Sequence, residues 1–170
     1  MRVLLTIGAM GLLANPVIAA EMEIELEIPR LNVVEYHKPY VAVWLERSNP
    51  RQATTISVWY DINNRQKEGD KWLKDLRQWW RRSGRELKVP IDGVTGATRP
   101  AGTHSIKLDA GHKAIADLAP GDYAIVIEAA REVGGREVLR LPFKWPAEKP
   151  LQLEAKGQNE LGKVSLNVKP

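Results

Sequence analysis

From residue 21 the chain alternates without a fault, with Glu21, Glu23, Glu25 and Glu27 on one side and Met22, Ile24, Leu26 and Ile28 on the other. Successive side chains of a strand point to opposite faces, so this pattern predicts a strand with one face in a core and the other in water. Runs rich in β-branched and aromatic residues predict further strands near 39–47, 54–61, 104–109 and 121–131. Gly134-Gly135 divides Tyr123–Val133 from Arg136–Trp145, the composition of a tight hairpin with positive φ at its turn. Pro142 and Pro146 have no N–H to give to a ladder, so the second arm is expected at a sheet edge or bulged. Two last strands, near 150–155 and 163–169, bring the number to eight. The fold class that follows is all-β, an antiparallel β-sandwich of immunoglobulin or fibronectin type.

One segment departs from this period. Trp72, Leu73, Leu76, Trp79 and Trp80 recur at helical spacing behind Asp70, a residue suited to cap a helix, and Gly84 follows as a stop. The spacing predicts one inserted α-helix near 70–83, with Lys71, Lys74, Arg77, Arg81 and Arg82 on much of its other face. Its apolar stripe is expected to bury across one end of the two sheets. Aromatic residues at this spacing are usually core, so Trp72 and Trp79 are expected to pack, with Trp80 evenly balanced between core and surface.

The ends and the composition narrow the function. Residues 1–20 combine Arg2, an apolar stretch from Val3 to Leu13 and a small-residue exit at Ala19-Ala20, the pattern of a cleaved secretory signal that leaves one domain over 21–170. The apolar stretch is too short for the roughly 20 residues that span a bilayer, so an exported, periplasmic and not membrane-spanning protein is expected. Without Arg2, one fewer than the 25 Lys and Arg faces 21 Asp and Glu, a surplus of three that gives no footprint for nucleic acid. There is no Cys, which removes thiol, attached-haem and iron–sulfur chemistry. His37, His104 and His112 show no ligand spacing, and no metal site is expected. Redox work by such a chain needs an organic cofactor.

The stretch with the most specific chemistry is Asp92-Gly93-Val94-Thr95-Gly96-Ala97-Thr98. Its five fixed positions, Asp92, Thr95, Gly96, Ala97 and Thr98, match the acceptor pattern Asp-x-x-(Ser/Thr)-Gly-Ala-Thr, which occurs by accident in roughly one chain of this length in several thousand. A threonine hydroxyl is a poor nucleophile near neutral pH, and no base adjoins Thr98, so self-modification is not expected. Gly93, Gly96 and Ala97 leave little bulk, and Pro100 and Gly102 follow, so residues 90–103 are expected to form an exposed loop open to a second enzyme. The bland alternative is a Gly-rich turn whose Asp and Thr bond their own backbone.

This loop resembles the site used by bacterial flavin transferases, which split FAD with a divalent metal and leave FMN on the last Thr of the motif. The resemblance implies Thr98 as covalent acceptor, through a phosphoester. Arg99 and the basic helix face (Lys74, Arg77, Arg81, Arg82) then become candidates to pair with the phosphate, Trp80 to stack on the isoalloxazine, and His104 to bond the flavin. The tract from Lys71-Trp72-Leu73 through Trp79-Trp80-Arg81-Arg82 to Thr98-Arg99-Pro100-Ala101-Gly102 is similar to the periplasmic family called domain of unknown function 2271. That family accompanies membrane flavoreductase-like proteins with peptidase-propeptide-type domains. The resemblance implies an exported electron carrier, more than a self-contained enzyme, with a flavin transferase and a membrane flavoreductase-like protein as partners. The alternative is a noncatalytic binding module for a glycan, peptide or protein, which exposed Trp44, Trp59 or Trp80 on one face would favour. No nucleophile–base–carboxylate set suggests a hydrolase.

Overall fold

A computed structural model describes residues 20–48, 51–63 and 68–170. The expected signal therefore lies, apart from Ala20, outside the described residues. Nine strands form two sheets: β1 Glu21–Ile28, β2 Tyr40–Arg47, β3 Gln52–Tyr60, β4 Thr95–Ala97, β5 Gly102–Leu108, β6 Gly121–Ala130, β7 Arg136–Trp145, β8 Leu151–Lys156 and β9 Lys163–Lys169. One sheet has the order β5-β1-β9-β8 and the other β4-β3-β2-β6-β7. All pairings are antiparallel except that of β3 with β4, which is parallel.

The expected sandwich is present, as are all eight of its strands, with ends shifted by a residue or two. β1 buries Met22, Ile24, Leu26 and Ile28 against Val164, Leu166 and Val168 of β9 and against Ile125 and Ile127 of the facing sheet. Each such side chain contributes about 1.5–3 kcal/mol on leaving water. β7, with Pro142, is an edge strand as its missing donor requires. At the β6–β7 turn positive φ falls on Val133 (51°) and not on Gly134 or Gly135. Those two glycines meet a different need, since a Cβ would stand 2.4 Å from the Arg131 guanidinium at Gly134 and 2.9 Å from Glu160 Oε1 at Gly135.

The helical segment differs from expectation in form and in place. It is a 3-10 stretch, Gly69–Asp75, then a short helix α1, Arg77–Arg82, and a further 3-10 turn, Gly84–Glu86. Leu76 breaks the helix at φ −74°, ψ 68° and rotates Trp72 out of the stripe, leaving it 53% exposed while Leu73, Leu76 and Trp79 are buried. Trp80 is half-buried. Asp70 does not cap, because the chain enters through a 3-10 turn in which Lys71 N–H bonds the Glu68 carbonyl at 3.0 Å.

The segment lies across the outer face of the five-stranded sheet and not across one end of the sandwich. Leu73, Leu76 and Trp79 form a second core there with Ala42, Trp44, Val58, Tyr60 and Val126. This explains why β2 is buried continuously from Val41 to Glu46 and shows no alternation, since both its faces are covered. Glu128 of β6, with no exposed surface, accepts backbone N–H bonds from Gln78 (3.0 and 3.1 Å) and Trp79 (2.8 Å) and pairs with Arg136 at 2.8 Å. A carboxylate supplied from the sheet thus satisfies orphan donors at the start of α1. Gly84 is glycine because a Cβ would stand 2.6 Å from the Trp79 ring.

Candidate functional site at the edge of the five-stranded sheet

The segment expected as an open loop is partly a strand. Ile91 carbonyl oxygen accepts the N–H groups of Val94 (3.1 Å) and Thr95 (2.9 Å), and Gly93 takes φ 73°, where its lack of a Cβ is needed. The Thr95 hydroxyl closes the same turn, donating to the Ile91 carbonyl at 3.0 Å and accepting from Ile91 N–H at 2.9 Å. Beyond it the chain ladders onto β3: Val58 N–H bonds the Val94 carbonyl at 2.8 Å, Thr95, Gly96 and Ala97 pair with Val58, Trp59 and Tyr60, and Thr98 N–H bonds the Tyr60 carbonyl at 3.1 Å. The loop expectation fails here because β3 would otherwise offer an open edge, which this segment covers.

The two threonines therefore differ. Thr95 has its hydroxyl committed within the turn, whereas the half-buried Thr98 hydroxyl has no hydrogen-bond partner among the described residues. Gly96 is equally distinctive. Its φ is ordinary, and a Cβ there would make only a normal contact, 3.6 Å from Trp59 Cδ1, so the fold itself does not require a glycine.

After Thr98 the chain crosses from the edge of one sheet to β5 at the edge of the other. Trp59, 1% exposed, is the centre of this crossing. The Arg99 guanidinium lies 4.4 Å from its ring centroid, a cation–π contact, and the His104 ring meets its edge at 5.7 Å. His104 Nε2–H donates to the Pro100 carbonyl at 2.8 Å, which fixes the tautomer and leaves Nδ1 as an acceptor. Burial pushes the neighbouring Tyr60 phenol above its usual value, and the Asp70 carboxylate adds to the shift, so it stays a neutral side chain. Among the described residues no group of His and carboxylates is placed to hold a metal ion, and no helix is long and apolar enough to cross a membrane.

The structure thus gathers Thr95, Gly96, Ala97, Thr98, Arg99 and His104, with Asp92 exposed on the turn that opens the segment. It does not bring Trp80 to them, since that ring leans on Trp79 at 6.2 Å in the outer core. Arg82 is also elsewhere, paired with Glu46 at 3.2 Å. Glu46 faces Ala53 on β3, so Arg82 is displaced from Thr98 by seven residues of strand, about 20 Å at 3.3 Å each. Lys74 lies over the exposed Trp72 ring at 5.7 Å. The tryptophan that touches the site is Trp59, which sequence reading missed because strand period assigns a face but not a partner 37 positions away in Gly96.

A β-sandwich with its outer sheet face roofed by a helical segment is the class that the fold defines. Residues 21–163 match the family described as "Predicted periplasmic protein (DUF2271)", and the chain belongs to that family. It is a periplasmic protein, in agreement with the export signal read from the sequence. No curated protein and no solved structure matches the chain.

Proposed function

We propose that the protein is a periplasmic electron carrier holding FMN on Thr98 through a phosphoester, loaded by a flavin transferase and reduced by a membrane flavoreductase-like partner. The observation that carries this reading is the contrast inside the acceptor motif: Thr95 is tied into the turn, while the Thr98 hydroxyl is half-exposed and without a partner among the described residues. Gly96 supports it, since a glycine in a strand costs about 0.5–1 kcal/mol relative to Ala and packing in this chain gives no reason for it. Access for a modifying enzyme gives one.

In the loading step Thr98 Oγ1 forms a bond to the FMN-side phosphorus of FAD, the pyrophosphate P–O bond breaks, AMP leaves, and the hydroxyl proton passes to the transferase. The bound group supplies one- and two-electron transfer. The chain's part is to hold and orient: Arg99, held on Trp59, places a positive charge one residue from the phosphoester, and His104 braces the Pro100 bend with Nδ1 free to accept a bond. A group so held would accept electrons from the membrane partner and could pass them to a second periplasmic acceptor. Of the three tryptophans whose exposure would favour a binding module, Trp44 and Trp59 are buried and Trp80 is half-buried.

Expressed with a flavin transferase in the exported compartment, the protein is expected to gain the mass of one FMN residue and to fluoresce in a denaturing gel. Thr98→Val abolishes both, and Thr95→Val keeps both while lowering the melting temperature. A mass gain that survives Thr98→Val refutes the assignment.

A further inference from the structure

Most buried carboxylates of the described residues are balanced by at most one guanidinium together with backbone amides. Glu128 has Arg136 and two N–H groups, Glu160 has Arg131 at 2.9 and 3.1 Å with Gly135 N–H at 2.8 Å, and the half-buried Glu137 accepts four backbone N–H groups. Glu46 is different. Its Oε1 faces Arg82 Nε at 3.2 Å and Arg51 Nε at 3.8 Å, and its Oε2 accepts from Arg140 Nη1 at 2.7 Å. Three guanidiniums converge on the same carboxylate, from α1, from the residue before β3 and from β7, and leave a residual charge of about +2 around it.

Each guanidinium has five N–H donors in a fixed fork, and Glu46 uses one direction of each. Arg51 and Arg140 border an open cleft of about 340 Å³ whose wall also includes Glu46, Arg47 and Ser48, while Arg82 stands outside that lining. Arg47 Nη2 donates to the Pro120 carbonyl at 3.2 Å, while its buried Nε has no hydrogen-bond partner in the structure described. Such forks match oxyanions, which take two bonds from one guanidinium.

We propose that Arg51 and Arg140, held with Arg82 around Glu46, bind a multiply charged oxyanion of the phosphate class in this cleft. The site stands about 20 Å along β3 from Thr98, so the anion is not the phosphate of the proposed flavin and the inference does not rest on that reading. Glu46 acts as an internal competitor, holding the guanidiniums converged when the anion is away. Its removal therefore strengthens binding, and saturation together with dependence on Arg140 separates a built site from unspecific attraction to the extra positive charge.

The Nε–H signals of Arg51 and Arg82 in nitrogen-15 spectra report the site during titration with inorganic phosphate at low chloride. Saturable shifts are expected, weakened roughly three- to tenfold by Arg140→Gln and tightened several-fold by Glu46→Gln. Melting curves of both variants check that they fold. Sedimentation with phosphatidylglycerol vesicles but not phosphatidylcholine vesicles, lost in Arg140→Gln, assigns the anion to a lipid headgroup; saturable phosphate binding without sedimentation assigns it to a soluble phosphate. Unsaturable shifts that are equal in all three proteins overturn the proposal, as does an affinity that Glu46→Gln leaves unchanged or lowers.

Discussion

Two parts of the five-stranded sheet use the same kinds of residue under opposite constraints. Beneath α1, Gly84 is forced by the Trp79 ring 2.6 Å from its absent Cβ, Trp79 Nε1 bonds Thr55 Oγ1 at 2.9 Å, and Glu128 has a donor for each oxygen. At the β4 edge, Gly96 has room for a Cβ and the Thr98 hydroxyl has no partner among the described residues. Where packing explains a residue, a change should cost stability; where packing is silent, a change should cost function and leave the fold alone.

The largest effects belong under α1. Trp79→Ala empties a fully buried site and is expected to cost about 3–5 kcal/mol in denaturant unfolding. Glu128→Ala is expected to cost less, about 1–3 kcal/mol, because it orphans two helix N–H groups while the partly exposed Arg136 turns to solvent. Gly84→Ala should cost about 1–3 kcal/mol by overpacking. None of the three is expected to reduce the FMN-bearing fraction of the protein that remains folded, which intact mass on the soluble fraction checks.

A smaller effect tests a loop at the same end of the sandwich as Thr98. Burial pushes the Glu137 carboxyl up, but the N–H groups of Gln158, Leu161, Asn159 and Glu160 outweigh it and hold it below the ordinary value. The ionised form therefore adds stability above the unfolded value of 4.5, and that contribution is lost as pH falls through the lower folded value. Glu137→Gln should lower stability by about 1–3 kcal/mol at pH 7. Melting curves of the two proteins should converge in acid; a gap that persists there would refute the charge-based account.

The smallest stability effects, and the sharpest functional ones, belong at β4. Gly96→Ala is expected to be neutral or to gain up to about 1 kcal/mol while lowering the fraction that a flavin transferase modifies. Equal modification with the wild type would leave Gly96 without the proposed role in access. Thr98→Val should stay within about 0.5 kcal/mol of the wild type and lose the flavin entirely.

Local pattern made much of this legible. The period of two in β1 marks its buried face because only one face of that strand meets the core, and Pro142 marks an edge because an edge tolerates a missing donor. The heptapeptide Asp92–Thr98 is contiguous and therefore legible without the fold. What failed depends on contacts distant in sequence. A helix stripe including Trp72 was expected, but the Leu76 break, set where the segment must follow the sheet, turns that ring into water. A bare loop was expected at 90–103, yet β3 supplied a ladder that no local signal encodes.

The sequence by itself determined eight of the nine strand positions, the all-β class, the expectation of export and the heptapeptide Asp92–Thr98, since each rests on residues near one another in the chain. Only the tertiary structure decided which of two motif threonines keeps a free hydroxyl, that Trp59 and not Trp80 stands beside Arg99 and His104, and that three arginines from separate elements converge on Glu46. The physical reason is that periodicity fixes the direction in which a side chain points, whereas its partner is fixed by strand pairing and by helix docking between segments far apart in the chain.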